Sequence, residues 1–189
     1  DTGVFSQDGY WDVKVEYAKA SAETIHIHIE ARNRGKEEST LHLLPNCWFR
    51  NTWSWGDGQQ RPSIKAVFGK IPTMQIDHPT LGRYFLYVKQ SAKLLFTENE
   101  TNRSVLWGVP NDQPYVKDAF HRYIIKGEQS AINPAEEGTK AAIWTTFSLA
   151  AGETATLDLV LSAGSNDTPF ANHEITLSSK REEEKAITD

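Results

Sequence analysis

The densest chemistry in the chain is one run, Trp48-Phe49-Arg50-Asn51-Thr52-Trp53-Ser54-Trp55-Gly56, where four aromatic rings surround a guanidinium and a carboxamide. Indole faces stack on the C–H faces of sugar rings while Arg and Asn donate to hydroxyls. The same residue types anchor protein interfaces, in which Trp and Arg are enriched. Aromatic rings also fill cores. All three readings stay open for this run. Alternation along a strand buries only one of Trp48 and Phe49. It leaves Trp53 and Trp55 in a polar, Gly-bounded segment that a core role explains less well.

Other constellations are weaker. His26-X-His28-X-Glu30 places three metal-capable side chains on one strand face. Metal-binding jelly rolls draw their carboxylate from further along and another His from a distant strand. This row therefore reads as a solvated polar face; no metal ligand is assigned and no cofactor is expected. Glycoside hydrolysis needs two carboxylates across a cleft. Asp57, Asp77, Glu98, Glu100, Asp112 and Asp118 are available, but nothing singles out a pair, so no catalytic residue is assigned. Cys47 lies between Asn46 and Trp48 with no basic neighbour and reads as an inert buried thiol. Gly56-Asp57-Gly58 is too short for a phosphate loop and lacks its strand-to-helix context. The sequons at Asn99, Asn102 and Asn166 matter only in a eukaryotic secretory pathway, for which no signal segment speaks.

The elements that must position these residues are mostly strands. Trp11, Val13, Val15 and Tyr17 alternate with Asp12, Lys14 and Glu16; Ile25, Ile27, Ile29 and Ala31 alternate with His26, His28, Glu30 and Arg32. With a third strand over 39–49 this predicts an antiparallel meander with one wet face. A long loop over 51–62, short strands near 65–68, 83–89 and 93–97, and a helix-like stretch over 115–126 follow. The alternating runs 141–149 and 154–162, joined by Ala150-Ala151-Gly152-Glu153, predict a hairpin. From about Ala171 the pattern turns helical and charged, with little apolar face. The sum is a mainly β chain, an antiparallel β-sandwich with one short helix and a helical C-terminal tail.

The chain has 189 residues, a formal net charge of -5, one Cys and one Met. That is one domain's worth of chain. Its acidic balance excludes electrostatic nucleic-acid binding, and no apolar run approaches the roughly 20 residues of a membrane span. Asp1-Thr2-Gly3 carries no initiator methionine and no signal segment, so the sequence reads as processed or cut from something longer, with a cytoplasmic location expected.

At the aromatic run the chain resembles the bacterial glucosidase-like members of glycoside hydrolase family 63, the mannosyl-oligosaccharide glucosidase family. The stretches that carry the resemblance are Asp1-Thr2-Gly3-Val4-Phe5, Val15-Glu16-Tyr17-Ala18-Lys19-Ala20, and Leu41-His42-Leu43-Leu44-Pro45 running into Trp48 to Trp55. Collinear with them are Leu81-Gly82-Arg83-Tyr84, 95–102 (Leu-Phe-Thr-Glu-Asn-Glu-Thr-Asn), Gly108-Val109-Pro110-Asn111, Pro114-Tyr115-Val116-Lys117-Asp118, Asn133-Pro134 and Gly138-Thr139-Lys140-Ala141-Ala142. Such proteins are several times longer and pair a large β-sandwich with an (α/α)6 barrel whose two carboxylates perform inverting hydrolysis. No residue here matches the barrel motifs. The resemblance implies the sandwich region alone: 1–168 as β-sandwich and 169–189 as a helical linker toward the barrel of the same polypeptide. It implies a non-catalytic accessory domain of an inverting α-glycosidase, with an oligosaccharide or small glycoside as substrate of the whole. Arg50, Asn51, Trp53 and Trp55 are the expected sugar or barrel contacts, and Asn99, Asn102, Lys117 and Asp118 the second set. The alternatives are a free-standing carbohydrate-binding module, or a structural spacer whose Trp loop touches only protein.

Overall fold

The computed structural model describes residues 9–56, 58 and 60–188, with only the backbone of Thr188. The Asp1 to Phe5 stretch and Asp57 lie outside the described residues. In chain order the strands are β1 (Trp11–Ser21), β2 (Thr24–Asn33), β3 (Ser39–Leu43), β4 (Asn46–Trp48), β5 (Ser63–Val67), β6 (Thr73–His78), β7 (Gly82–Val88), β8 (Lys93–Thr97), β9 (Glu137–Gly138), β10 (Lys140–Leu149) and β11 (Thr154–Ala163). The helices are α1 (Arg103–Trp107), α2 (Ala119–Lys126) and α3 (His173–Thr188), with 3-10 turns at Trp53–Trp55 and Gln129–Ala131.

The fold is an antiparallel β-sandwich. A seven-stranded sheet runs β1-β2-β11-β7-β6-β5-β9, and a four-stranded sheet is built on β10, which pairs with β3, β4 and β8. Ile29, Ile64, Met74, Leu86, Val88 and Leu157 of the large sheet meet Phe96, Ala141 and Ile143 of the small one in a single apolar core. These are the alternate residues of their strands, which is why period-two patterning located them. A second cluster joins Leu95 and Ala142 to Phe120 and Tyr123, seating α2 on the outer side of the small sheet.

Several connections differ from the sequence expectation. β1 and β2 pair as expected, with Val15 opposite Ile29 and Tyr17 opposite Ile27. β3 does not extend a meander; it crosses to the other sheet and pairs with β10. The single strand expected over 39–49 is two, broken at Leu44-Pro45, because proline has no N–H to give the ladder. The runs joined by Gly152 are not a hairpin either: β10 and β11 belong to opposite sheets. Local alternation cannot distinguish an arch from a hairpin. Here Asn33, 1% exposed, holds the arch. Its amide donates to Leu149 O and Glu37 O at 2.9 and 2.8 Å, and its backbone exchanges bonds with Gly152 and Glu153. β6 was not expected at all, and α1 is a further short helix, capped by Asn102 and ended by Gly108 at positive φ.

The wet face of β2 is also corrected. His26 is buried and His28 half-buried, because α3 lies over them. Its covering stripe is His173, Leu177 and Arg181, spaced i, i+4, i+8, which share one side of a helix. His173 and Leu177 are 1% and 2% exposed. Arg181 forks onto Glu16 of β1 at 2.9 and 2.6 Å, and this pair, outweighing a burial penalty, holds the Glu16 carboxyl at about 2. The stripe is mostly polar, so no hydrophobic pattern announced it. On the opposite side of β1, Val13, Val15 and Tyr17 remain exposed. β1 is the edge of the wide sheet. No helix of the described residues is long and apolar enough to cross a membrane.

Candidate functional site

The aromatic run leaves the sandwich at the end of β4 and folds against the segments that follow β8 and precede α2. A glycine permits this. A Cβ on Gly138 would stand 2.1 Å from Thr97 O, so β9 lies against the end of β8 only because the side chain is missing. From there a knot of short bonds fixes the loops. Thr139 N donates to Thr97 O at 3.1 Å, Thr139 Oγ1 to Glu98 Oε2 at 2.7 Å, and Asn99 N to Thr139 Oγ1 at 2.8 Å. Thr97 Oγ1 donates to Val116 O at 2.9 Å, and Lys117 N to Glu100 O at 2.9 Å.

On this base the two expected sets of residues come together. Asn51 Nδ2 donates to Asn99 O at 3.3 Å, and Asn99 Nδ2 returns to Phe49 O at 2.7 Å. Trp53 Nε1 donates to Glu100 Oε1 at 3.0 Å. Asn51 Oδ1 accepts from the hydroxyl and the N–H of Ser54, which closes the 3-10 turn. The result is a cleft of about 410 Å³ with Asn51, Trp55, Asn99 and Lys117 among its walls. Arg50 is not on the wall; its guanidinium sits 5.3 Å over the Trp55 ring, within cation–π range. Trp53, Asn102 and Asp118 stand behind the wall. Asn102 is a buried hub. Its Nδ2 donates to Asp118 Oδ2 at 2.9 Å, and its Oδ1 accepts from Val105 N and Asn111 Nδ2.

Several wall residues were absent from the expected set, Trp107 and Glu100 foremost. Trp107 of α1 is 64% exposed, close to the 62% of Trp55, and both rings border the cleft. Glu100 also lines it. The signal for Trp107 was its place just before Gly108, at the end of a capped turn; the helix was too short for periodicity to reveal. The lining charges balance, with Glu100 and Asp112 against Arg103 and Lys117. Arg103 and Asp112 pair directly at 2.5 Å, and Lys117 Nζ donates to Thr101 Oγ1 at 3.1 Å.

Of the other carboxylates weighed from the sequence, the two that are described, Glu98 and Asp77, also have partners. Glu98 is buried with Thr139 and Arg61. Asp77 lies at the other side of the large sheet, bonded to Arg83 and Gln75 at 2.6 Å each. Burial pushes its carboxyl up, and these two bonds outweigh that and hold it below the usual range. Of the aromatic run, Phe49 packs on the core and Trp48 is exposed, the division that alternation demanded. Burial pushes the Cys47 thiol up to about 11, so it is a poor nucleophile at neutral pH.

No protein-family model matches the chain. It is similar to the uncharacterized protein YMR196W of Saccharomyces cerevisiae, at 29% identity over an alignment 160 residues long that covers 70% of this chain and 15% of the yeast protein. The chain thus spans a small fraction of the length of the curated relative it matches.

Proposed function

We propose that this chain is a non-catalytic β-sandwich region of an inverting, glucosidase-like α-glycosidase, working in the cytoplasm and packed on an (α/α)6 barrel of the same polypeptide. In this reading the aromatic-rimmed cleft lends its loops to the sugar site. The observation that carries it is convergence. The stretches that resemble the family around Trp48 to Trp55, Leu95 to Asn102 and Pro114 to Asp118 are scattered along the chain, yet contribute to the walls and supports of one cleft. A shared fold alone would not require them to meet.

The chemistry of the cleft suits a neutral polyhydroxylated ligand. Trp55 and Trp107 offer exposed indole faces. Asn51, Asn99, Glu100 and Lys117 offer donors and acceptors between them. Balanced charge gives no preference for an anion or a cation.

The test has two arms. The purified chain is expected to release no nitrophenol from p-nitrophenyl α-glucoside or α-mannoside; robust turnover by the chain alone overturns the accessory reading. The exposed indoles also favour a second reading, a module that binds sugar by itself. Calorimetry with gluco-oligosaccharides separates the two, since a module binds them without a barrel and an accessory loop does so only within the longer protein.

A further inference from the structure

On the far side of the large sheet from the core, a row of side chains lies under the first turn of α3. β11 pairs with β2 so that Asp158 is opposite His28 and Val160 opposite His26. His173, the first residue of α3, is set down onto this row. His28 Nδ1 is 2.6 Å from Asp158 Oδ1, and His173 Nε2 is 3.2 Å from the same oxygen. The three atoms all lie within 4.8 Å of one another. Asp158 and His173 have side chains 5% and 1% exposed, and His28 reaches the rim at 16%.

One atom in this cluster makes no hydrogen bond of good geometry. His173 Nε2 is buried and makes no hydrogen bond, although it faces a carboxylate. Its other nitrogen is engaged, 2.9 Å from His26 Nδ1. A fully buried ring nitrogen without a hydrogen bond calls for an explanation. The second oxygen of Asp158 is already bonded, to Lys89 Nζ at 3.2 Å and Gln90 Nε2 at 3.3 Å. That leaves Oδ1 directed at the two histidines.

We infer that His28 Nδ1, Asp158 Oδ1 and His173 Nε2 form a binding site for a divalent transition metal of the zinc class, which pins α3 to β2 and β11. Two imidazoles and one carboxylate are a donor set of that class, with a fourth position left for water. Zinc at about 2.0–2.1 Å from its ligands sets them about 3.3 Å apart in a tetrahedron. The two spacings to Asp158 Oδ1 need sub-ångström adjustment to reach that, and the two histidine nitrogens close from within 4.8 Å of each other. The surrounding bonds are those a metal-ligating imidazole and carboxylate require. With Nε2 on the metal, His173 carries its proton on Nδ1 and donates it to His26, while Lys89 and Gln90 hold the free oxygen of Asp158. His28 moves its shared proton to Nε2, so all three ligand atoms present lone pairs. Glu30, the third member of the row read from the sequence, is exposed and takes no part.

The test uses the full chain, free of any affinity tag and stripped with EDTA. Zn2+ is titrated against a chromophoric chelator, and thermal unfolding is followed with and without it. One equivalent bound and a thermal midpoint several degrees higher are expected. Co2+ in its place should give the intense visible bands of tetrahedral coordination. D158N and H28Q, each checked for native circular dichroism, should lose the metal at least roughly tenfold, and H26F, which removes only the outer partner, roughly 10–100-fold. H28Q alters a rim residue, so it keeps the test decisive if D158N does not fold. Absence of binding at millimolar Zn2+, or affinity unchanged in H28Q, overturns the site.

Discussion

The cleft and the histidine row under α3 are built in opposite ways. The cleft gathers residues that are near in sequence within each wall, held mostly by bonds to backbone, and it leaves its two largest rings in solvent. The histidine row gathers side chains 130 and 147 residues apart and buries them. Both are polar sites on one sandwich, yet they stake their residues on different things. A cleft residue is exposed at its working end, so it contributes little to folding and is free to contact a ligand. A residue of the row is enclosed, so its polar atoms must be matched or the fold bears the cost.

That contrast breaks most sharply at the base of the cleft, which is the exception. Gly138→Ala drives a Cβ into Thr97 O, where backbone on both sides cannot yield. It should cost about 3 kcal/mol or more and loosen the cleft loops with it, read as a lower urea midpoint. A midpoint within error of the parent would mean that β8 and β9 are not locked as described. Next comes His173→Ala, measured in EDTA. It removes a buried ring and leaves His26 and Asp158 with one partner fewer, for an expected loss of about 2–3 kcal/mol. Hydrogen exchange over 173–188 should rise well above that of the core strands. If His173→Ala is neutral, the row is not enclosed and the comparison fails.

Glu16 and Arg181 test the same side more gently, through pH. The folded carboxyl sits at about 2 against an ordinary 4.5, so the pair stabilises fully above pH 4.5. That contribution is lost as the pH falls from 4.5 through about 2. Arg181 is 43% exposed and solvent screens the pair, which reduces the expected effect to about 1 kcal/mol. Arg181→Met should flatten the stability profile across that window and leave it parallel to the parent above it. A profile that remains as steep as the parent's would assign the acid sensitivity to other groups.

How much of each site the sequence disclosed follows from this difference in construction. Alternation in 11–17, 24–32 and 154–162 located strands, and in the last two also core faces, because burial on one side writes period two directly into the chain. It could not say which sheet a strand joins. β3 and the arch between β10 and β11 were misassigned for that reason. Arg50, Asn51 and Trp55 were legible because they crowd into one short run. Trp107 was missed because α1 is a single capped turn. The row under α3 was unreadable: His26 and His28 look solvated until a helix 147 residues away covers them. That helix has a stripe of His, Leu and Arg instead of an apolar one.

The smallest expected effect on folding is at Trp55, and it separates the two regions most cleanly. The ring is 62% exposed, and its contact with Arg50 is an open cation–π pair worth about 0.5–1 kcal/mol at such a site. Trp55→Ala should therefore leave the unfolding midpoint almost unchanged, within roughly 0.5 kcal/mol. Trp107→Ala should do the same. What these substitutions should change is recognition. In the longer glycosidase that we propose, Trp55→Ala should lower kcat/KM for an oligosaccharide or weaken docking of the barrel, with the sandwich still folded. If Trp55→Ala instead destabilises the chain as much as His173→Ala, the ring is structural and the cleft loses its claim to a ligand. If it changes neither stability nor activity, the sugar contact moves to Trp107 and the wall formed by Asn99 and Glu100. The contrast between an enclosed row and an open cleft would then survive without Trp55.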